Sequence, residues 1–309
     1  MRTTREDSAS ETERKRDLMS VIGDTGTVFQ REQQQVAAWD HLSELRQQLY
    51  GAATWQMLAA ADLHPGDQVL DIAAGTGDQS RLAARLVGPE GCVLATDISQ
   101  EALQVAAQRA EQEGLSTMTT RAMNAEQLDL PENRYDAVIS RFGLMLIPNI
   151  QQALSEIRRV LKPGGRLTAL VWSKPERNPL FTLEETILTQ WQGTEEGEEP
   201  QADAFRLSDA ALFASMLKQA GFQDMQVHVI PLTFHFPSFE ALMAWWGSPW
   251  KEALATPDAE PGWRLLEEAR RAVRPFAGPQ GILAPAEVLL GVGTKEARTQ
   301  VKQEKEMNR

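Results

Sequence analysis

The chain has 309 residues, of which 42% are hydrophobic and 24% are charged, as is ordinary for a soluble globular protein. The formal net charge of -12 argues against a nucleic-acid partner, because such proteins present clustered Lys and Arg. Cys92 is the sole cysteine, which excludes a disulfide framework and a cysteine metal cluster within one chain. No run has the apolar length of a secretory core or a membrane span, so we expect a cytoplasmic protein.

The N-terminal part divides into a polar tail and a helical region. Residues 1–30 are polar and charged and contain Gly23 and Gly26, a composition typical of a disordered tail. From Glu32 to Ala61, apolar residues recur mostly at three- and four-residue spacing, which predicts amphipathic helices with Gly51 between two of them. We expect one domain over 31–309, with its ligand-binding core at 63–174.

The most informative stretch follows this helical region. An apolar run ends at Asp71, a turn containing Gly75 and Gly77 comes next, and after a helical stretch a second apolar run ends at Asp97. Glycines let a backbone approach a ligand closely at the carboxyl edge of a parallel sheet, and an acid that ends the next strand suits a ribose diol. The pattern predicts a nucleoside site, although the glycines alone are also expected of a plain strand-to-helix turn.

Asp71 separates this pattern from a dinucleotide site. A dinucleotide fingerprint runs G-x-G-x-x-G and lays a pyrophosphate on a helix N-terminus, whereas the third position here is Ser80 and a carboxylate precedes the glycines. A carboxylate at that place repels a pyrophosphate and attracts a cation. The amino-acid end of S-adenosylmethionine carries an ammonium group beside a sulfonium centre, so the sequence favours this cofactor over NAD.

The rest of the chain predicts a doubly wound α/β sheet. Four continuous apolar runs suit strands covered on both faces, and helical stretches at 79–86, 100–113 and 150–161 separate them. A helix at 208–220, with Ser208 as its N-cap and Gly221 as its end, precedes strands at 226–230 and 287–293. Two insertions, 175–207 and 237–285, interrupt the minimal sheet. The second is rich in Trp, and forms either a lid over an acceptor pocket or plain packing against the sheet.

Along the chain stand the blocks Asp71-x-Ala73-x-Gly75-x-Gly77, Asp97, Asn124-Ala125-Glu126, Tyr135 to Met145 and Arg159 to Arg166. With these blocks the chain resembles the class I S-adenosylmethionine-dependent methyltransferases, and most of all the ubiquinone/menaquinone-biosynthesis branch, which also contains many secondary-metabolite enzymes. The resemblance covers roughly 39–172.

The resemblance implies a Rossmann-like seven-stranded sheet of order 3-2-1-4-5-7-6, with the last strand antiparallel, N-terminal helices and helical lid insertions. It also implies S-adenosylmethionine as cofactor, with Asp97 on the ribose and Asn124 near the adenine. Relatives often carry Asp at the position of Asn124, so we expect the hydrogen bonding to adenine to differ here, although an amide can still supply an acceptor. The residues expected to bind the cofactor are Asp71, Ala73, Gly75, Gly77, Asp97, Ile98, Asn124, Ala125, Glu126 and Arg141.

Candidates for catalysis are sparse. His41 and Tyr50 lie on the N-terminal helical region, which in relatives folds over the cofactor, and each is a candidate to act as a general base or to orient an acceptor hydroxyl. Packing roles are the alternative for both. The guanidinium of Arg141 is expected to bond either a neighbouring acid or the substrate. The sequence contains no Ser-His-Asp pattern and no metal constellation, so no metal site is expected.

Three functions remain open at this point. The first is a methyltransferase acting on a small molecule such as a quinol, a phenol, a polyketide or another secondary metabolite. The second is an NAD(P)-dependent oxidoreductase on a related sheet, against which Asp71 and Ser80 count. The third is a methyltransferase-like protein that catalyses another reaction with the bound cofactor or uses it structurally.

Overall fold

The computed structural model describes residues 43–192, 204–247, 250 and 262–297. The predicted tail at 1–30 and His41 lie outside these ranges. Helices in the described ranges are α1 (Ser43–Ala60), α2 (Asp78–Val87), α3 (Gln100–Gln112), α4 (Ile150–Val160), α5 (Pro179–Gln192), α6 (Ala210–Gln219), α7 (Phe239–Trp246) and α8 (Gly262–Val273). Strands are β1 (Gln68–Ile72), β2 (Cys92–Asp97), β3 (Met118–Ala122), β4 (Tyr135–Arg141), β5 (Leu161–Trp172), β6 (Gln223–Phe236), β7 (Ala277–Gly278) and β8 (Gly281–Thr294).

The strands form one twisted sheet of order β3-β2-β1-β4-β5-β8-β6, and the short β7 pairs with β8. Strands β1 to β5 are mutually parallel, while β8 runs antiparallel to both β5 and β6. The predicted order and the antiparallel last long strand are therefore confirmed, with β7 as an addition. Because chain order reverses between β1 and β4, the carboxyl ends of these two strands form the crevice where ligands bind in such sheets.

Local sequence explains most of the helix boundaries. Ser99 caps α3 by accepting a hydrogen bond from the amide of Ala102, and Asn149 caps α4 in the same way through Gln152. The predicted cap Ser208 was wrong, because the Asp209 carboxylate accepts from the amides of Ala211 and Leu212 and so begins α6.

The prediction that Gly51 separates two helices was also wrong. Helix α1 runs without a break from Ser43 to Ala60. Its packed face, which includes Tyr50, Ala53 and Met57, is buried, and this burial outweighs the modest cost of one glycine in a helix interior, about 1 kcal/mol.

The last two long strands extend well beyond the sheet. Pairing between β5 and β8 ends at Trp172 and Val288, whereas β6 and β8 remain paired as far as Phe236 and Ile282. A two-stranded ribbon therefore projects past the carboxyl edge of the sheet. Residues 281–285, which were predicted to belong to the second insertion, are part of this ribbon instead, because their backbone groups pair with β6.

The first insertion is fixed to the sheet by one buried side chain. The Asn178 amide donates to the carbonyl oxygens of Ser173, Lys174 and Glu287, and its own oxygen accepts from the Glu287 amide. These bonds hold the start of α5 against β8, above the carboxyl edge of β5. Among the described residues, no helix combines the length and apolar character that crossing a bilayer requires.

Candidate functional site

Two adjoining cavities lie at the crevice between β1 and β4. Cavity A lies beside the ends of β2 and β3, and cavity B extends from the glycine turn toward α1, α5 and α7. Their empty volumes, counted with the mouths that open to solvent, are about 600 and 1090 Å³. Both are lined by Ala73, Asp97, Gly143 and Leu146. The two cavities therefore form one elongated site with Asp97 at its junction.

The glycine turn gives this site a backbone floor. Ala73, Gly75 and Gly77 have φ values of 54°, 56° and 76°, a left-handed conformation in which a side chain costs energy. A Cβ added at Gly77 would lie 2.8 Å from the Cβ of Ala106. The turn is therefore packed against α3 from below, and its upper surface forms part of cavity B.

Asp97 is held in place by backbone amides. One carboxylate oxygen accepts from the Gly75 amide at 2.7 Å and the other from the Ser99 amide at 2.9 Å. The side chain is 7% exposed, and burial raises its pKa although these hydrogen bonds favour the ionised form. The Ile98 amide is a third backbone donor to this carboxylate. Since a carboxylate has about four lone-pair sites, Asp97 retains acceptor capacity where the cavities meet.

Besides Ala73 and Asp97, cavity A brings together three more of the predicted residues, Ile98, Asn124 and Ala125. The Asn124 side-chain oxygen accepts from the Glu126 amide at 2.9 Å, which leaves the amide nitrogen as the available donor. Glu126 lines neither cavity. Its carboxylate instead accepts from the Asn149 amide at the start of α4, so its geometry supports a structural role and not the predicted contact with the cofactor.

The carboxylate of Asp71 also lies outside both cavities, contrary to the direct contact that the sequence suggested. Asp71 is fully buried beneath the glycine turn, where it accepts hydrogen bonds from Ser80 and, at 3.2 Å, from the Gln79 side-chain nitrogen. Burial raises its pKa to about 7 despite these two bonds. Asp71 therefore supports the turn from below.

Gln79 connects Asp71 to cavity B. Its nitrogen points toward the Asp71 carboxylate and the Ala74 carbonyl, which directs its oxygen the other way. The residue lines cavity B and is 1% exposed. Its oxygen is one of the buried polar atoms of the described residues that have no hydrogen-bond partner. Because an unpaired buried acceptor is costly, this atom is an available site for a ligand donor.

Asp78, which follows the turn directly, is surrounded by arginines. Its carboxylate lies 2.9 Å from the Arg46 guanidinium and 3.2 Å from that of Arg141, and Arg81 and Arg109 are within 3.5 Å. Burial alone would raise the pKa of Asp78, but the charges of Arg141 and Arg46 outweigh it and hold the pKa well below its ordinary value.

The side chains of Arg46, Asp78 and Arg141 all line cavity B. Of the two alternatives for Arg141, the structure shows the bond to a neighbouring acid, which is Asp78, and a second bond to the Thr54 hydroxyl at 3.3 Å. Sequence reasoning missed Arg46, Gln79 and Asp78 as site residues. The position of Asp78 at the end of the glycine motif was the one available signal.

Aromatic side chains form the far wall of cavity B. Phe142 follows β4 with a φ of 59° and stacks on Trp172, with ring centroids 4.3 Å apart and planes 9° from parallel. Phe181 of α5 and Trp245 of α7 complete the wall. The segment containing Trp245 thus contributes to the cavity, which supports the predicted wall over plain packing.

Tyr50 projects from α1 into this wall. Its ring makes edge contacts with Phe142, Trp172 and Phe234 at centroid distances of 5.2, 5.7 and 5.5 Å. Its hydroxyl accepts a hydrogen bond from the Trp245 indole at 3.1 Å. Burial raises the pKa of Tyr50 to about 12, so it holds its proton at neutral pH. This favours a hydrogen-bonding role over that of a general base.

The described histidines lie away from both cavities. His64 is in the turn before β1, and His228 and His235 lie on β6 with exposed side chains. In the described ranges, no group of three or more His, Cys, Asp or Glu residues is arranged to hold a metal ion.

Comparison with known proteins identifies the segment that carries this site. Residues 42–188, just under half of the chain, match the ubiE/COQ5 methyltransferase family. The ubiquinone/menaquinone biosynthesis C-methyltransferase of Burkholderia mallei is 44% identical over 117 residues, which are 38% of this chain and 48% of that protein. The chain thus spans about half the length of the curated relatives it matches.

Solved structures agree with the fold. The YcgJ protein of Bacillus subtilis is 20% identical, with a TM-score of 0.55 over 80% of this chain and 99% of its own. A putative methyltransferase from Bacillus halodurans is 22% identical, with a TM-score of 0.55 over 80% of this chain and all of its own. Residues 42–188 are thus similar in sequence to the ubiE/COQ5 methyltransferase family, and the two solved structures share the fold of this chain.

Proposed function

We propose that this protein is an S-adenosylmethionine-dependent methyltransferase that acts on a small-molecule acceptor. The observation that carries the proposal is the position of Asp97 at the junction of cavities A and B. A buried carboxylate with remaining acceptor capacity is suited to accept a hydrogen bond from the hydroxyls of a ribose. Cavity A then receives the adenine, and cavity B receives the amino-acid end of the cofactor and the acceptor.

The lining of cavity A suits an adenine ring. Ile98 and Leu146 offer apolar surface for the ring faces, and the Asn124 amide nitrogen can donate to a ring nitrogen. An ionised carboxylate in place of this amide could only accept. Asn124 therefore gives this pocket a different pattern of hydrogen bonds while retaining a polar contact to the purine edge.

The near end of cavity B fits a zwitterion. The unpaired oxygen of Gln79 can accept from an ammonium group, and the guanidinium groups of Arg46 and Arg141, which bracket Asp78, offer positive charge to a carboxylate. In this arrangement Asp71 acts indirectly, because it orients the Gln79 amide. A pyrophosphate has no ammonium group to donate to the Gln79 oxygen, and its negative charge is repelled by the Asp78 carboxylate. The site therefore favours a methionine tail over a dinucleotide.

When bound, the cofactor supplies an activated methyl group on a sulfonium, so the protein need not activate the donor. The aromatic wall excludes water and holds an acceptor flat, and Tyr50 can fix one polar edge of it. Positioning of this kind contributes about 7 to 11 kcal/mol in favourable cases. A proton-accepting side chain is needed only where the acceptor must lose a proton, which accounts for a site without an evident catalytic dyad.

The test is a turnover assay with methyl-labelled S-adenosylmethionine and a panel of quinols, phenols and polyketides. Quinols belong in the panel because the Burkholderia relative is named a quinone-biosynthesis C-methyltransferase. Labelled product together with S-adenosylhomocysteine supports the proposal, and its mass and fragmentation identify the methylated atom. Tight cofactor binding without turnover across the panel would favour the methyltransferase-like alternative. Binding of NADH in place of the adenosyl cofactor would favour an oxidoreductase and contradict the proposal.

A further inference from the structure

The hydroxyl of Tyr50 has a fixed polarity. The indole nitrogen of Trp245 can only donate a hydrogen bond, and it lies 3.1 Å from the Tyr50 oxygen. The oxygen must therefore act as the acceptor in this pair. Tyr50 keeps its own proton because burial raises its pKa to about 12. That proton is consequently free to be donated to a different partner.

The surroundings of Tyr50 offer this proton no partner in the described part of the chain. The rings that contact Tyr50 are Phe142, Trp172 and Phe234, which carry no strong acceptor. The charged groups that influence it are Arg141 and Arg46, and guanidinium groups only donate. Since Tyr50 and Trp245 both line cavity B, the open direction for the proton is into the cavity.

From this geometry we infer that Tyr50 and Trp245 select methyl acceptors that present a lone-pair oxygen, a carbonyl or an ionised hydroxyl, at this edge of a flat ring. The inference rests on the proposed function, because it assigns the far end of cavity B to the acceptor. Acceptors with only an N–H or a C–H at that edge are disfavoured, because they leave the Tyr50 proton unpaired in an apolar surrounding. Trp245 is the residue that sets this preference, although it lies 195 positions from Tyr50 in the chain.

Three probes of equal shape test the inference without knowledge of the natural acceptor. Tetralone presents a carbonyl, tetrahydroquinoline an N–H and tetralin a methylene at the same place on a fused ring. Binding of each is measured by tryptophan fluorescence, with the full-length protein saturated with S-adenosylhomocysteine. A single neutral hydrogen bond corresponds to a preference of about three- to tenfold for tetralone over both other probes.

Two variants separate the roles of the pair. Tyr50→Phe keeps the ring and should abolish the preference for tetralone. Trp245→Phe releases the Tyr50 oxygen to accept, so tetrahydroquinoline should approach tetralone in affinity. Tyr135→Phe is the matched control, since Tyr135 is the only other tyrosine and begins β4 at the opposite edge of the sheet. Trp263→Phe, at a side chain that is 41% exposed, controls for the loss of one indole. Neither control should alter the preference.

The outcomes distinguish this inference from the proposed function. Calorimetry with S-adenosylhomocysteine on the same preparations tests the cofactor site alone, and failure to bind there counts against the methyltransferase. If the cofactor product binds but tetralin or tetrahydroquinoline binds as tightly as tetralone, the inference is overturned. It is also overturned if Tyr50→Phe retains the preference, or if none of the three probes binds.

Discussion

Replacing Asp71 by Asn should change how the stability of the protein depends on pH. Asp71 is fully buried under the glycine turn, and burial raises the pKa of its carboxyl from 3.8 to about 7. The folded protein therefore holds this proton more tightly than the unfolded chain. The stabilisation from that proton is complete below the unfolded pKa and is lost as the pH rises through the folded pKa.

The magnitude follows from the two pKa values. Each unit of difference corresponds to about 1.4 kcal/mol, so the full loss between 3.8 and about 7 is about 4 kcal/mol. Between about pH 5 and pH 8 the wild type should lose about 3 kcal/mol through this residue. An amide at position 71 does not titrate, and the Ser80 hydroxyl can reverse to accept from it, so Asp71→Asn should lack this loss.

Urea unfolding of both proteins at a series of pH values measures the effect. Because Glu184 and Asp97 also have raised pKa values and titrate in both proteins, the quantity of interest is the difference in unfolding free energy between wild type and variant. Ser80→Ala is the companion variant, since losing a hydrogen bond to the carboxylate raises the pKa of Asp71 further and extends the loss to higher pH. A difference that stays constant from pH 5 to pH 8 would refute the reasoning.

Three other predictions concern the cofactor and the turn. Asp97→Ala should weaken S-adenosylhomocysteine binding in calorimetry by about ten- to a hundredfold, because a hydrogen bond to a charged acceptor is lost. An unchanged Kd rules out the ribose contact. Gln79→Met should weaken the same ligand by about tenfold or more and leave methylthioadenosine, which lacks the amino-acid end, unaffected; equal losses for both ligands would show a general disturbance of the site. Gly77→Ala should lower the unfolding free energy by about 1 to 3 kcal/mol through its left-handed backbone. This loss should exceed the loss caused by Gly66→Ala, because Gly66 shares the positive φ but has no atom within 4 Å of an added Cβ. A smaller loss at Gly77 than at Gly66 would contradict the packing argument.

The structural features that the sequence predicts depend on short-range patterns. The glycine turn, the acid that ends β2 and the order of the sheet follow from strand and helix periodicity together with one resemblance. The placement of Asp97 beside Gly75 needs only two adjacent parallel strands. These features could be predicted because the chemistry of the turn and the topology of the sheet constrain them strongly.

The parts that the sequence did not predict depend on side-chain direction and distant pairing. Whether the Asp71 carboxylate meets a ligand or the underside of the turn is decided by Ser80 and Gln79, which approach it from α2. Arg141 reaches Asp78 across 63 positions of the chain. No periodicity in the sequence predicts these side-chain contacts, because they form only when α1, α2 and β4 pack together.

The boundaries of the second insertion were missed for a related reason. The sequence predicts that Pro285 belongs to a helical insertion, yet β6 and β8 pair across this position. The resulting ribbon carries Phe234 toward Tyr50 and Trp245. The aromatic wall thus depends on strands that extend past the sheet. The sequence predicts only short strands at 226–230 and 287–293, which do not reach this wall.

The most direct test of the central claim is calorimetric titration of the full-length protein with S-adenosylhomocysteine and, separately, with NADH. The claim is that Asp97, Gln79 and the arginines around Asp78 hold an adenosyl amino acid across cavities A and B. The prediction is saturable binding of S-adenosylhomocysteine at one site per chain, together with no measurable binding of NADH. Binding of NADH alone, with no heat from the adenosyl ligand, would contradict it.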